Sequence, residues 1–160
     1  MTSVISQELA KLIEQEVQLM STLLDVLKNE ELVLVENTPE KLEAVITEKN
    51  ALLIEIISLE KQRNQLLTQA GFALDTAGIK AFLDSTPPET RLQEKWENLI
   101  ALSADAKENN RTNGLLINRQ MARNQSTLNI LQQNDSSSSV YGADGQSRTN
   151  IGGGRGIVAG

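Results

Sequence analysis

Four charged residues stand where a helical sequence would otherwise place leucine: Glu16 and Glu30 before Pro39, and Lys49 and Arg63 after it. If the chain folds back near Pro39, Glu16 faces Arg63 and Glu30 faces Lys49, because both pairs are centred between residues 39 and 40. Two cross-helix ion pairs inside an apolar seam are therefore predicted. A partly buried pair roughly breaks even in stability, so its use would be to set register.

Other chemistry has little to work with. The chain has neither His nor Cys. No disulfide can form, and no Ser-His-Asp or Cys-His relay can be assembled. Structural zinc does not favour a site made of carboxylates alone. General acid–base work would fall to carboxylates, lysines or the single Tyr141. Glu30 and Glu31 are adjacent on a helix and point apart, and a di-iron site lacks its Glu-x-x-His pairs. Gly154-Arg155-Gly156-Ile157-Val158-Ala159 fits a dinucleotide-type string but has no strand before it or helix after it. No catalytic residue, metal site or cofactor is expected, and the chain does not read as an enzyme.

The elements that must position the charges are helices. Aromatics make up 2% of the chain, so leucine and isoleucine must fill the core, as they do in thin helical bundles. Residues 3–36 carry Ile5, Leu9, Leu12, Leu19, Leu23, Val26 and Val33 at helical spacing, with Ile13, Met20, Leu27 and Leu34 alongside. Thr38-Pro39-Glu40 reads as a restart, with a threonine cap, proline in the first turn and an acid at the positive end of the dipole. Residues 39–70 repeat Leu42, Val45, Lys49, Leu52, Ile56, Leu59, Arg63 and Leu66, with Gly71 as the terminator. The short connection predicts an antiparallel hairpin.

A short helix is predicted over 73–84, with Phe72, Leu74, Ile79, Phe82 and Leu83 facing inward and Gly78 weakening it. A third long helix is predicted over 88–133. Its first half is apolar at Leu92, Trp96, Leu99 and Ala106. Its second half mixes amides with leucines. Asn113-Gly114 within it indicates either a close approach or a surface not permanently covered. The predicted fold is therefore all-α: an antiparallel hairpin plus a third long helix, forming an elongated three-helix bundle or coiled coil over 1–133. Residues 134–160 open with Ser136–Ser139, hold seven of the ten glycines, and read as a disordered tail. Tyr141 is its single aromatic and a candidate docking residue.

The net charge of −6 argues against a nucleic-acid partner, which rewards clustered lysine and arginine. The apolar runs are too short to cross a bilayer, and the start does not read as a signal peptide, so a cytoplasmic protein is expected. Residues 110–133 hold Arg111, Arg119 and Arg123 and no acid. That stretch resembles a groove wall that another helix could complete.

The sequence resembles the FlgN-type flagellar export chaperones. The resemblance rests on the leucine- and glutamate-rich first helix with Glu16, and on Lys49 and Arg63 among leucines in the second. It rests further on Asn110-Arg111-Thr112-Asn113-Gly114-Leu115-Leu116-Ile117 and on the serine-rich run to Tyr141-Gly142-Ala143-Asp144-Gly145. It implies a cytosolic chaperone that binds C-terminal amphipathic helices of hook–filament junction proteins. Such a chaperone prevents their premature assembly and delivers them to the cytosolic domain of the flagellar type III export gate. Tyr141 would serve docking at that gate. The client would bind the second half of the third helix, at Leu116, Ile117, Gln120 and Met121 and at Arg123, Leu128 and Leu131. Arg119 and Arg123 would orient acidic side chains of the client. The free protein is expected to be a monomer. The alternative is a structural coiled-coil adaptor for an unknown helical partner.

Overall fold

A computed structural model describes residues 2–142, with side chains over 4–134. The described residues hold four α-helices and no strand. These are α1 (Thr2–Glu36), α2 (Pro39–Gln69), α3 (Thr76–Ser85) and α4 (Leu92–Gly142), with a 3-10 turn at Pro88–Thr90 before α4. The chain divides into two compact units, Met1–Leu116 and Ile117–Gly160.

In the first unit, α1 buries two rows of a heptad. One row is Leu9, Glu16, Leu23 and Glu30; the other includes Ile13, Leu27 and Leu34. A seven-residue repeat keeps one seam facing its neighbour along the helix. The helix ends where Asn37 turns left-handed at φ 57°. Thr38 N–H then reaches Val33 O at 3.2 Å and Asn37 N–H reaches Leu34 O at 3.3 Å. These bonds satisfy carbonyls that the helix end leaves open. Thr38 does precede α2, but its hydroxyl caps nothing, contrary to the expectation. The Thr38 Oγ1 is buried without a partner. Proline in the first turn and Glu40 start α2 without it.

The end of α2 repeats the same device. Gly71 sits at φ 89°, and Phe72 N–H reaches Leu67 O at 3.0 Å. Phe72 packs on the cluster holding buried Leu67, the apolar contact that accompanies such a cap. Asp75 then caps α3, accepting from Gly78 N–H at 2.7 Å. Gly78 is required here rather than merely tolerated. A Cβ on it would collide with the backbone carbonyl of Ala73.

Two further expectations are corrected. Leu74 does not face inward: it is 54% exposed, because it precedes the α3 cap and lies off that helix's buried face. The third long helix starts at Leu92 rather than Pro88. Pro88–Thr90 close a 3-10 turn, and Arg91 at φ 52° breaks the helical path.

The main core gathers Leu9 and Ile13 of α1, Leu67 of α2, Phe82 and Leu83 of α3, and Leu92 and Leu99 of α4. Phe72 and Phe82 meet edge to face, with centroids 5.4 Å apart. Further along α1, Leu23 and Leu27 pack with Ala106, and nearer the turn Val26 and Val33 pack with Val45.

In the second unit α4 is described through to Gly142, past the expected end at 133, so residues 134–142 continue the helix rather than open the expected tail. Residues 143–160 of the expected tail, and the side chain of Tyr141, lie outside the described residues.

Candidate functional site

Both predicted ion pairs form. Lys49 Nζ lies 2.8 Å from Glu30 Oε2, and Arg63 Nε lies 2.8 Å from Glu16 Oε1. Each pair also gains a partner from α4. At the Glu30 layer, Asn113 Nδ2 donates to Glu30 Oε1 at 2.8 Å and to Leu27 O at 2.9 Å. Asn109 Nδ2 donates to Glu31 Oε1 at 3.2 Å and to Asn113 Oδ1 at 3.3 Å. Glu30 and Asn113 are buried, so their groups must find partners within the protein.

At the Glu16 layer, Arg63 Nε donates to both carboxylate oxygens, the second at 3.0 Å, and the guanidinium lies 5.0 Å from the centre of the Trp96 ring. A cation over an indole face is attracted by the ring quadrupole. Burial pushes the Glu16 carboxyl above its ordinary range. The Arg63 hydrogen bond and charge pull it back, and the nearby Glu60 adds a smaller upward push. The layers are 14 residues apart on both α1 and α2, or about 21 Å of helix rise. They clamp α1, α2 and the first part of α4 in one register.

The residues expected to bind a client fall differently. Leu116 ends the first unit and is half-buried; Ile117 and Gln120, in the second unit, are also half-buried. Every residue from Met121 to Asn134 is exposed, Arg123 among them. Met121 is 63% exposed, and Leu128 and Leu131 exceed half. Ile117, Met121, Leu128 and Leu131 follow at steps of four, seven and three, which places them on one helix face. The second unit therefore presents an apolar stripe to solvent, whereas Arg119 and Arg123 fall toward the opposite side of the helix, contrary to the expectation that they flank it. Gly114, in the first unit, has open space where a Cβ would be, so it serves no close approach.

The FlgN protein family's profile matches residues 1–149. The chain belongs to the FlgN family. The flagella synthesis protein FlgN of Proteus mirabilis is 29% identical over 153 residues, covering 94% of this chain and 97% of that protein. No solved structure matches the chain.

Within this FlgN-family chain, the residues that sequence reasoning missed are Asn113 and Trp96 as third members of the two charged layers. The signal for Asn113 was present. Leu92, Leu99, Ala106 and Asn113 recur every seven residues, and all four are buried. An amide at the end of that row should face the same neighbours as the leucines before it. Among the described residues, no helix is long and apolar enough to cross a membrane.

Proposed function

We propose that this protein takes part in flagellar synthesis as a cytosolic export chaperone. It binds the C-terminal amphipathic helices of hook–filament junction proteins and delivers them to the cytosolic domain of the type III export gate. Membership of the FlgN family and the similarity to the flagella synthesis protein FlgN of Proteus mirabilis support the flagellar setting. The observation that carries the client-binding reading is the exposed apolar stripe Ile117, Met121, Leu128 and Leu131. An amphipathic client helix would lay its leucines on that stripe. Met121 would adapt to clients of different shape, since its side chain is flexible and polarisable. Gln120 adjoins the stripe, and Tyr141 serves docking at the gate. On this reading the protein works by covering and releasing, without turnover or cofactor, and is monomeric when free.

Calorimetry against the C-terminal helical segments of the junction proteins tests the reading. Binding near one to one is expected. Met121→Glu and Leu128→Glu should each weaken it strongly, because a charge placed in a buried apolar contact costs several kcal/mol. Tyr141→Ala should leave client binding intact and impair export. Absence of binding by the folded protein would remove the chaperone reading, and loss of client binding in Tyr141→Ala would remove the separation of the two sites.

A further inference from the structure

A second surface lies wholly within the first unit. A groove of about 930 Å³ is walled by α2, α3 and α4, with Glu16 and Met20 of α1 also lining it. Its wall on α4 extends from Gln93 to Ser103, about 15 Å of helix rise, or nearly three turns. Its floor is apolar where Met20, Ile56, Leu83 and Leu99 line it, and the Glu16–Arg63 pair and the Trp96 ring form the rest. Its rim exposes Leu74 at 54% and Ile100 at 50%. An open trough with apolar anchors along its length suits one face of a helix.

The charges of the groove select the occupant. Four carboxylates line it, those of Glu16, Glu60, Asp75 and Asp84, against the two cations Arg63 and Lys80. Both cations already have acidic partners: Arg63 holds Glu16 at 2.8 Å, and Lys80 holds Asp84 at 3.0 Å. Glu60 lies on the rim, more than half exposed and 3.7 Å from the Arg63 guanidinium that Glu16 already engages. The surplus is negative.

We propose that this groove is a docking site for an amphipathic helix of a partner protein whose apolar face is flanked by lysine and arginine. The partner's leucines would seat between Trp96, Leu99 and Ile100 on α4 and Ile56 on α2. Its cations would approach Glu60 and Asp75, the acids left over once Glu16 and Asp84 are paired. The site is separate from the stripe assigned to clients, and it would remain if that assignment failed.

Trp96 is the chain's single tryptophan, so the groove carries its own reporter. The probe is a labelled, amidated helical peptide with leucine at every third or fourth position and Lys and Arg on both flanks. Its control carries Glu in place of every base. The basic peptide should bind, shift Trp96 emission and exceed the acidic peptide in affinity by at least about tenfold. Ile100→Lys and Leu74→Lys alter exposed side chains and should each weaken the basic peptide by about tenfold or more. Leu32→Lys makes the same charge change at an exposed side chain of α1 outside the groove and should leave binding within about twofold. No binding, equal affinity for both peptides, or equal loss in Leu32→Lys and Ile100→Lys would each overturn the proposal. So would light scattering that shows a dimer broken by Ile100→Lys, because the occupant would then be a second copy of the chain.

Discussion

Asn113 and Glu30 meet 83 positions apart in sequence, amide nitrogen to carboxylate oxygen, at 2.8 Å. The carboxylate is fully buried, and its other oxygen takes Lys49 Nζ at the same distance. One buried anion is thus shared by a cation from α2 and an amide from α4. The arrangement holds only while Asn113 donates. Asn113→Asp would set a second carboxylate against Glu30, and like charges at such a distance cannot both ionise freely. Asn113→Asp should lower stability near neutral pH and recover part of it on acidification, as one carboxyl takes up a proton. Urea unfolding between pH 5 and 8 checks this, and a pH-independent loss would refute it.

The Glu30–Lys49 pair should show its role in a double-mutant cycle. Lys49→Met alone leaves a buried carboxylate without its cation, at a cost of about 3–5 kcal/mol. Glu30→Met with Lys49→Met should cost far less, because no uncompensated charge remains. Chemical denaturation of the two single variants and the double gives the coupling energy. Additive losses would mean that the two charges do not depend on each other.

Glu16 should leave a distinct pH signature. Burial, offset by Arg63, sets its folded-state value above the ordinary one, so the folded form holds more protons between the two values. Stability then rises as pH falls through that window, and the gain is complete below the ordinary value of 4.5. The difference in stability between the wild type and Glu16→Gln should therefore shift toward the wild type on acidification. Thermal melts of both proteins from neutral pH down to that value measure it. A shift in the opposite direction would mean that Arg63 outweighs burial.

The ion pairs were legible in the sequence because charge in a leucine seam is conspicuous and a hairpin fixes which residues face each other. The contribution of α4 was not. Placing a third helix against a hairpin requires its rotation and stagger, and no turn geometry supplies those when α3 and a 3-10 turn intervene. Beside Gly114, Asn113 reads as a sign of close approach or of an uncovered surface, and its place in the seven-residue row after Leu92, Leu99 and Ala106 is easily passed over. Thr38 showed the converse error. Its type and position fitted a cap, yet Asn37 in the left-handed region and Pro39 had already set the backbone path. The stripe on 117–131 was expected from the sequence as a partly uncovered face. Its exposure depends on what lies beside it, and the sequence pattern of that helix cannot show this.

Replacing Met121 or Leu128 should disturb the fold little. Both side chains are more than half exposed, and substitutions at such positions usually change stability by less than about 0.5 kcal/mol. Met121→Glu and Leu128→Glu should therefore keep the wild-type helical circular dichroism and melting temperature while losing client binding. A fall in melting temperature of many degrees would show these residues to be part of a packed core.

Two glycines should respond in opposite directions to the same change. Gly78 and Gly114 both lie in helices, where glycine costs roughly 1 kcal/mol relative to alanine. At Gly114 a Cβ meets nothing within 4 Å. Gly114→Ala should accordingly stabilise the protein by up to about 1 kcal/mol, partly by restricting the unfolded chain. At Gly78 the Cβ would collide with the Ala73 carbonyl, and the Asp75 cap that holds the start of α3 would have to move with it. Loss of such a cap alone costs about 1 kcal/mol, and displaced packing around Phe82 would add to it. Gly78→Ala should thus destabilise despite alanine's better helix propensity. Denaturation midpoints of the two variants measured side by side decide the matter. A stabilised Gly78→Ala would mean that α3 can shift away from Ala73 without disturbing the core, and a destabilised Gly114→Ala would mean that another group approaches that face of α4.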